Sequence, residues 1–393
     1  MQKLRIILIS SLLESKGGAF IATSRIAEIL KKNFIVSFLA PDNKSILNKI
    51  KNVIALILKR FFLGKTTYLN SLNIFSKIIL KDSKFDLIHL NWTGNELISI
   101  DNLLSIKKPI LWTMHDMWLP NSTEHFLKNH SKKKYLKSDL KNNLLKKIIF
   151  KKKQDFFKKK NIHLVANSKW LRDYAIKSEL TKKCKIDVVY NPIETKIWKR
   201  KSNMLSKKKL HLQVDKDYIL FGAVGGFSNF RKGGDLFLNS LDKLTEIKNK
   251  TEVIILGGKE NSTEIINNRK FHFRKLEVRK MSQIMYHSAS ILTVCPSRAE
   301  SLPQFIVETI LCENPVVSFN VGGIKEIIKH KINGYVVKPF NTEEFANGIK
   351  FCMTKIKKKD LKQEKIRITQ MFNEKKILKD YKNIINKVLR YES

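Results

Sequence analysis

The sequence predicts an α/β protein of two doubly wound domains, each a mostly parallel sheet with helices on both faces. Three observations predict it. Short apolar, β-branched runs alternate with segments of helical period through the first half of the chain. The alternation starts afresh at Tyr218. The length of 393 residues suits two domains of ordinary size, with 43% apolar residues to fill two cores and a charged fraction of 28% that does not signal disorder.

In the first half, Leu4–Ser10 reads as a buried strand and Ala19–Lys31 as a helix with an apolar stripe at Ile21, Ala22, Ile26, Ile29 and Leu30. Strands follow at Phe34–Leu39, Phe85–Leu90, Ile110–Met114, Leu164–Asn167 and Val188–Tyr190. In the second half the strands are Ile219–Val224, Glu252–Leu256, Lys270–Phe273, Ile291–Cys295 and Pro315–Phe319. The helices between them are Gly234–Leu244, Met281–Ser288 and Gln304–Cys312, and Glu343–Lys350 and Glu374–Arg390 come after. The basic stretch Lys196–Lys209 is predicted to be a linker. This divides the chain into domains at 1–195 and 196–370, with a helix over 371–393 expected to cross back to the first. Ligands of such sheets bind at the carboxyl ends of the strands, here in a cleft between the two domains.

The net charge is +41, from 76 basic and 35 acidic residues. Lysine accounts for most of it and is spread over almost every segment, which favours compositional bias and leaves attraction to anionic membrane or phosphorylated ligands open. Two segments read as basic amphipathic helices able to lie on a membrane or on a domain core: Ile46–Lys65, and Lys128–Asn161 with fourteen Lys against two Asp. Cys184, Cys295, Cys312 and Cys352 lack the spacing of a disulfide framework or zinc site, so a reducing, cytoplasmic location is expected. The N-terminal apolar run fits a buried strand better than a signal peptide, and no stretch approaches the length of about 20 residues that spans a bilayer.

The stretch CPSRAESLPQFIVETILCENPVVSFNVGGIKE, Cys295–Glu326, carries the most chemistry. A strand ends at Cys295, a loop holds Ser297 and Glu300, and a helix starts near Pro303, a residue suited to the first helical position. Backbone N–H groups of Ser301, Leu302 and the first turn then offer an anion site. Glu300 before the helix and Glu308 within it place two carboxylates where sugar and ribose hydroxyls are natural partners, although each also fits a role at the helix dipole or on the surface. In GAVGGFSNFRKGGDLFLNSL, Arg231 and Lys232 precede a helix. Cations are disfavoured there, which suggests an anionic partner.

Cys295–Glu326 resembles the retaining GT-B glycosyltransferases of the GT4 family, whose hallmark is Glu-x7-Glu in such a strand–loop–helix. Pro296-Ser297, Glu300-Ser301, Glu308, Pro315-Val316-Val317, Gly322-Gly323 with Glu326, and Asn333-Gly334-Tyr335 carry the resemblance, which extends in order from Gly17 to about Asn341. It implies that Glu300 contacts donor-sugar hydroxyls and Glu308 the ribose. It implies also that Arg231 and Lys232 neutralise the departing diphosphate, and that backbone groups at Gly225, Ser301, Leu302 and Gln304 hold it. Pro303 stands where many members have Gly, and Phe227 near where many carry another Arg.

The first half is less specific. Gly17 and Gly18 open the first helix, where glycines let backbone N–H groups approach a phosphate. LIHLNWTGN and ILWTMHDMW put Asn91, Trp92, His115 and Asp116 at strand ends. Both runs look like those of a GT4 branch in bacterial cell-surface polysaccharide synthesis, of the colanic acid or capsule type. The resemblance implies that His115 faces donor sugar or acceptor, that Asp116 orients it or contacts the acceptor, and that Asn91 and Trp92 lie on the acceptor side. The expected reaction is hexosyl transfer from a nucleoside diphosphate sugar to a hydroxyl of a glycan or lipid-linked acceptor, with retention. No D-x-D pattern sits at a strand end, so neither a metal nor another cofactor is expected. The expected location is cytoplasmic, with peripheral contact at an anionic membrane. The alternatives are a nucleic-acid-binding basic protein, disfavoured by the diffuse lysines, and a GT-B protein that binds a sugar nucleotide without transferring the sugar.

Overall fold

The computed structural model describes residues 3–11, 18–39, 53–54, 57, 70, 84–94, 97–126, 143–222, 226–247, 249–258, 260–275 and 280–390. The chain divides into two compact units, residues 1–192 with 374–393, and residues 193–373.

The first unit holds a six-stranded, all-parallel sheet in the order β2-β1-β3-β4-β5-β6. The strands are β1 Arg5–Ile9, β2 Ile35–Leu39, β3 Leu87–Leu90, β4 Ile110–Met114, β5 Ile162–Ala166 and β6 Lys185–Val188. The sixth lies earlier than the sequence suggests, because the polar run KIDV pairs with β5, and Val189, just past it, donates to the Ala166 carbonyl and turns its side chain into the core. Among the described residues the helices that connect the strands are α1 Gly18–Leu30, α2 Ile100–Leu104, α3 Leu144–Lys159 and α4 Lys169–Ile176. Strands β1, β3, β4 and β5 are buried along their whole described length apart from Arg5, as a sheet covered on both faces requires.

Helix α3 turns Ile149, Phe150, Lys153 and Phe156 inward, and Ile149 and Phe156 join the core beneath β4 and β5. Its apolar stripe thus serves the domain core. Residues 127–142 of that basic segment lie outside the described residues, as does nearly all of Ile46–Lys65. No described helix is long and apolar enough to cross a membrane.

The second unit holds a seven-stranded sheet in the order β13-β12-β11-β7-β8-β10-β9, parallel except for β9. Its strands are β7 Asp217–Gly222, β8 Thr251–Gly258, β9 Ser262–Ile266, β10 Arg269–Lys275, β11 Leu292–Cys295, β12 Val316–Phe319 and β13 Gly334–Val337. Its helices are α5 Asn203–Lys209, α6 Gly234–Leu241, α7 Lys280–Ala289, α8 Gln304–Leu311, α9 Ile324–Ile327, α10 Thr342–Thr354 and α11 Lys358–Met371. The polar edge strand β9 has no sequence signal of its own. It forms because Asn267 and Asn268 both adopt positive φ (50° and 57°), the tight turn that folds it back on β10.

Residues 196–209 are not a linker. Trp198 is fully buried against His287, Arg200 donates to the Glu313 carbonyl, and Ser202 caps α5. Lysine density hid the one aromatic that anchors the segment. The last helix, α12 Glu374–Arg390, packs on α1 and β4 of the first unit with Ile377, Tyr381, Ile384 and Ile385 in its core.

Candidate active site

In the second sheet, β7 lies between β8 on one side and β11 on the other, so the strand order reverses there. Loops that follow strands flanking such a reversal diverge to opposite faces and leave a crevice at the carboxyl ends. Arg231 and Lys232 come from the loop after β7, and Glu300 from the loop after β11.

The two loops meet through backbone. Arg298 N donates to the Arg231 carbonyl at 2.8 Å. Gly233 is left-handed (φ 72°), and a Cβ there would lie 2.0 Å from the Pro296 carbonyl. A third loop, after β12, closes from the other side. Gly323 N donates to the Ser301 carbonyl at 2.8 Å, and a Cβ on Gly322 (φ 59°) would lie 1.8 Å from the Glu300 carbonyl. Backbone packed this closely leaves no room for side chains at 233 and 322.

Glu300 is 7% exposed and ionically satisfied. Its Oε1 accepts from Lys232 Nζ at 2.6 Å, Ser297 Oγ at 2.9 Å and Arg231 NH1 at 3.2 Å. Burial alone raises its pKa, but the charges of Lys232 and Arg231 and the hydrogen bonds from Lys232 and Ser297 outweigh it and hold the carboxyl below the usual range. The basic pair is therefore not unpartnered, as its placement before a helix suggests. It lies in a short 3₁₀ turn, Phe230–Lys232, capped by Asn229, and its counter-charge stands 68 residues away in sequence. The pairing of β7 with β11 is what joins them.

Pro303 is the N-cap of α8 (φ −72°, ψ 114°), not its first helical residue, and Gln304 opens the helix. Ser301 and Leu302 are buried in the loop before it, and Glu308, one turn into α8, is 7% exposed rather than a surface residue. Gly225 and Gly17 lie outside the described residues. Gly18 begins α1 with open space where a Cβ would lie.

In the first sheet the order reverses at β1, between β2 and β3. Ser11 N donates to the Trp92 carbonyl, and Asn91 N to Ile9. Asn91, Trp92, Thr113, His115 and Asp116 line a small open depression at these strand ends. His115 Nε2 lies 3.1 Å from Asn91 Oδ1. Since that oxygen only accepts, Nε2 carries the proton and Nδ1 presents a lone pair. Burial lowers the His115 pKa to about 4, so the ring is neutral at physiological pH. His115 Nδ1 and Asn91 Nδ2 are buried with no partner in the described chain, one acceptor and one donor. A hydroxyl, which both donates and accepts, complements such a pair; an anion does not.

Asp116 does not orient His115. Its carboxylate accepts from Trp92 Nε1 at 3.0 Å and Trp118 N at 2.9 Å, so Asn91 takes the orienting role and Trp92 is held by Asp116. Three further residues shape this edge without a sequence signal. Lys153 of α3, 1% exposed, donates to the carbonyls of Trp118 (2.5 Å) and Asn121 (2.9 Å) and fixes the segment that follows His115. Tyr381 of α12 reaches Thr113 (3.2 Å), which bonds His89 at 2.8 Å. Among the described residues no group of His, Cys, Asp and Glu is arranged to hold a metal ion.

Residues 16–197 match the family described as Glycosyltransferase Family 4, and residues 219–355 the family described as Glycosyl transferases group 1. An uncharacterized glycosyltransferase of Haemophilus influenzae is 28% identical over 102 residues, 25% of this chain and 29% of that protein. Alpha-D-kanosaminyltransferase of Streptomyces kanamyceticus is 38% identical over 58 residues, 15% of this chain and 15% of that enzyme. The matched segments thus span less than a third of these curated relatives. Among solved structures, sucrose-phosphate synthase of Thermosynechococcus elongatus superposes with a TM-score of 0.72 at 15% identity, covering 99% of this chain and 100% of that one. HepE of Anabaena, solved in complex with UDP-glucose, superposes with a TM-score of 0.66 at 16% identity, covering 98% and 100%. At such identities the likeness is one of fold. With two parallel-sheet units of this kind and both halves matched in order, the chain belongs to the glycosyltransferases and has the GT-B fold.

Proposed function

We propose that the chain transfers a hexosyl unit, with retention, from a nucleoside diphosphate sugar to a hydroxyl of a glycan or lipid-linked acceptor in bacterial surface polysaccharide synthesis. The observation that carries this reading is the cluster of Lys232, Arg231, Ser297 and Glu300 at the strand-order reversal of the second sheet. A diphosphate gathers negative charge as the glycosidic bond breaks, and two fixed cations beside it stabilise that charge without rearranging solvent. Glu300, kept ionised by its neighbours, accepts hydrogen bonds from sugar hydroxyls. Glu308 receives the ribose, and backbone groups of Ser301, Leu302 and Gln304 hold the diphosphate. The neutral His115–Asn91 pair engages a hydroxyl of donor or acceptor.

In this reading the cations take the place of a metal ion on the diphosphate, and chelators leave the reaction unaffected. The complex of HepE with UDP-glucose supports a nucleotide-sugar as the donor class. The net charge of +41 supports a peripheral site of action at an anionic membrane on its cytoplasmic side. A panel of nucleoside diphosphate sugars, followed by NMR of the product anomer, tests the assignment. Lys232→Ala is expected to lower kcat by about 100-fold, and Glu308→Ala to raise the donor KM. Unchanged donor-dependent transfer in both variants overturns it.

A further inference from the structure

Arg298, two residues before Glu300, is not among the groups that would touch a donor, yet its side chain ties down the turn that carries two of them. Its guanidinium donates in a fork to Asp235, NH1 to Oδ1 at 2.7 Å and NH2 to Oδ2 at 2.5 Å. NH1 also donates to the Phe230 carbonyl at 2.7 Å. Its Cζ lies 3.9 Å from the centre of the Phe230 ring, and its backbone N donates to the Arg231 carbonyl. Phe230 and Asp235 flank the turn that carries Arg231 and Lys232, so one side chain grips that turn at both ends. Phe230 is 67% exposed, so little besides the guanidinium holds the ring in place. A forked Arg–carboxylate contact fixes orientation as well as distance. A lysine at 298 offers only a single point charge.

We propose that Arg298 is a positioning residue for diphosphate recognition: by holding Phe230 and Asp235 it fixes the turn from which Arg231 and Lys232 reach the phosphates. This rests on the donor class proposed above. The two cations also bond Glu300, and a diphosphate competes with that carboxylate for them. With the turn fixed through Arg298, the two side chains can change partner while their backbone stays in place. Without it, the turn is held to the second loop by the backbone bond from residue 298 to the Arg231 carbonyl, by Arg231 on the Ala299 carbonyl and by the bonds to Glu300, and giving up the last for a diphosphate loosens the turn.

The consequence is selective for the second phosphate. Isothermal titration of uridine, guanosine and adenosine diphosphates and the matching monophosphates against the full chain measures it. For the base that binds, Arg298→Ala is expected to weaken the diphosphate at least tenfold and the monophosphate less than twofold. Arg298→Lys and Asp235→Asn, milder changes that spare the fold, are expected to fall between, in the same diphosphate-selective sense. Equal weakening of both nucleotides in these milder variants, in step with a lower Tm, means a merely structural role and overturns the proposal. Wild-type diphosphate affinity in Arg298→Ala overturns it too. A wild-type chain that binds no nucleoside diphosphate at all overturns the proposed function itself, and so fails distinguishably.

Discussion

One oxygen of Glu300 serves Lys232, Arg231 and Ser297 together, and the same two cations are the ones proposed to hold a diphosphate. In the proposed reaction the carboxylate is therefore both a sugar ligand and a competitor for the phosphate site. Removing it acts with opposite signs on two observables. Glu300→Ala is expected to lower transfer by about 100-fold, and to leave nucleoside diphosphate affinity equal or tighter, because the cations lose their internal counter-charge. Kinetics and calorimetry on one preparation measure both.

Histidines supply a second expectation at this scale. Burial lowers His115 to about 4, and His89 and His287 to about 3, with His115 adding to the shift at His89. The unfolded chain therefore binds more protons than the native one from the ordinary histidine range down to these values. Stability is full above about pH 6.5 and falls as pH drops toward 4 and below. His115→Gln is expected to flatten part of that slope, measured by denaturant unfolding across pH 4–7.

The loops after β7, β11 and β12 act together because glycines at 233 and 322 let their backbones touch. Gly322→Ala places a methyl group against a carbonyl that no rotamer can avoid, on a left-handed backbone that costs about 1–3 kcal/mol for a non-glycine residue. It is expected to lower the Tm of the second unit and to raise the donor KM, read by calorimetry and initial rates.

Much of this was legible beforehand. Strands Ile110–Met114 and Leu292–Cys295, and helices starting at Gly234 and Gln304, follow from apolar runs and turn residues that are local in sequence. The edge strand β9 and the packed segment 196–209 were not. Polar β9 is held by pairing with β10, and a single Trp198 outweighs the lysines around it. The partners of Arg231, Lys232 and Arg298 were equally hidden, since 63 to 69 residues separate each pair.

At the scale of the molecule, α12 departs from chain order: it follows the second unit and completes the core of the first. Ile377, Tyr381, Ile384 and Ile385 are almost fully buried there. At about 1.5–3 kcal/mol for each large apolar side chain, their loss rivals the roughly 5–15 kcal/mol that stabilises a whole domain. Deleting residues 374–393 is expected to abolish cooperative unfolding of the first unit and preserve that of the second, seen as the loss of one calorimetric transition. Part of the basic excess also has a structural use, since the buried Lys153, Lys207 and Arg269 donate to backbone carbonyls.

The sequence by itself determined the two α/β units, the strand ends that carry Asn91, His115 and Glu300, and the placing of Glu308 within a helix. Those features depend on periodicity and turn chemistry over a few residues, and a short window contains them. Tertiary structure alone decided that Glu300 neutralises Lys232 and Arg231, that Asn91 rather than Asp116 orients His115, and that Arg298 grips the cationic turn. Each is a contact between loops whose strands become neighbours only when the sheet forms, and no local pattern encodes which strands those are.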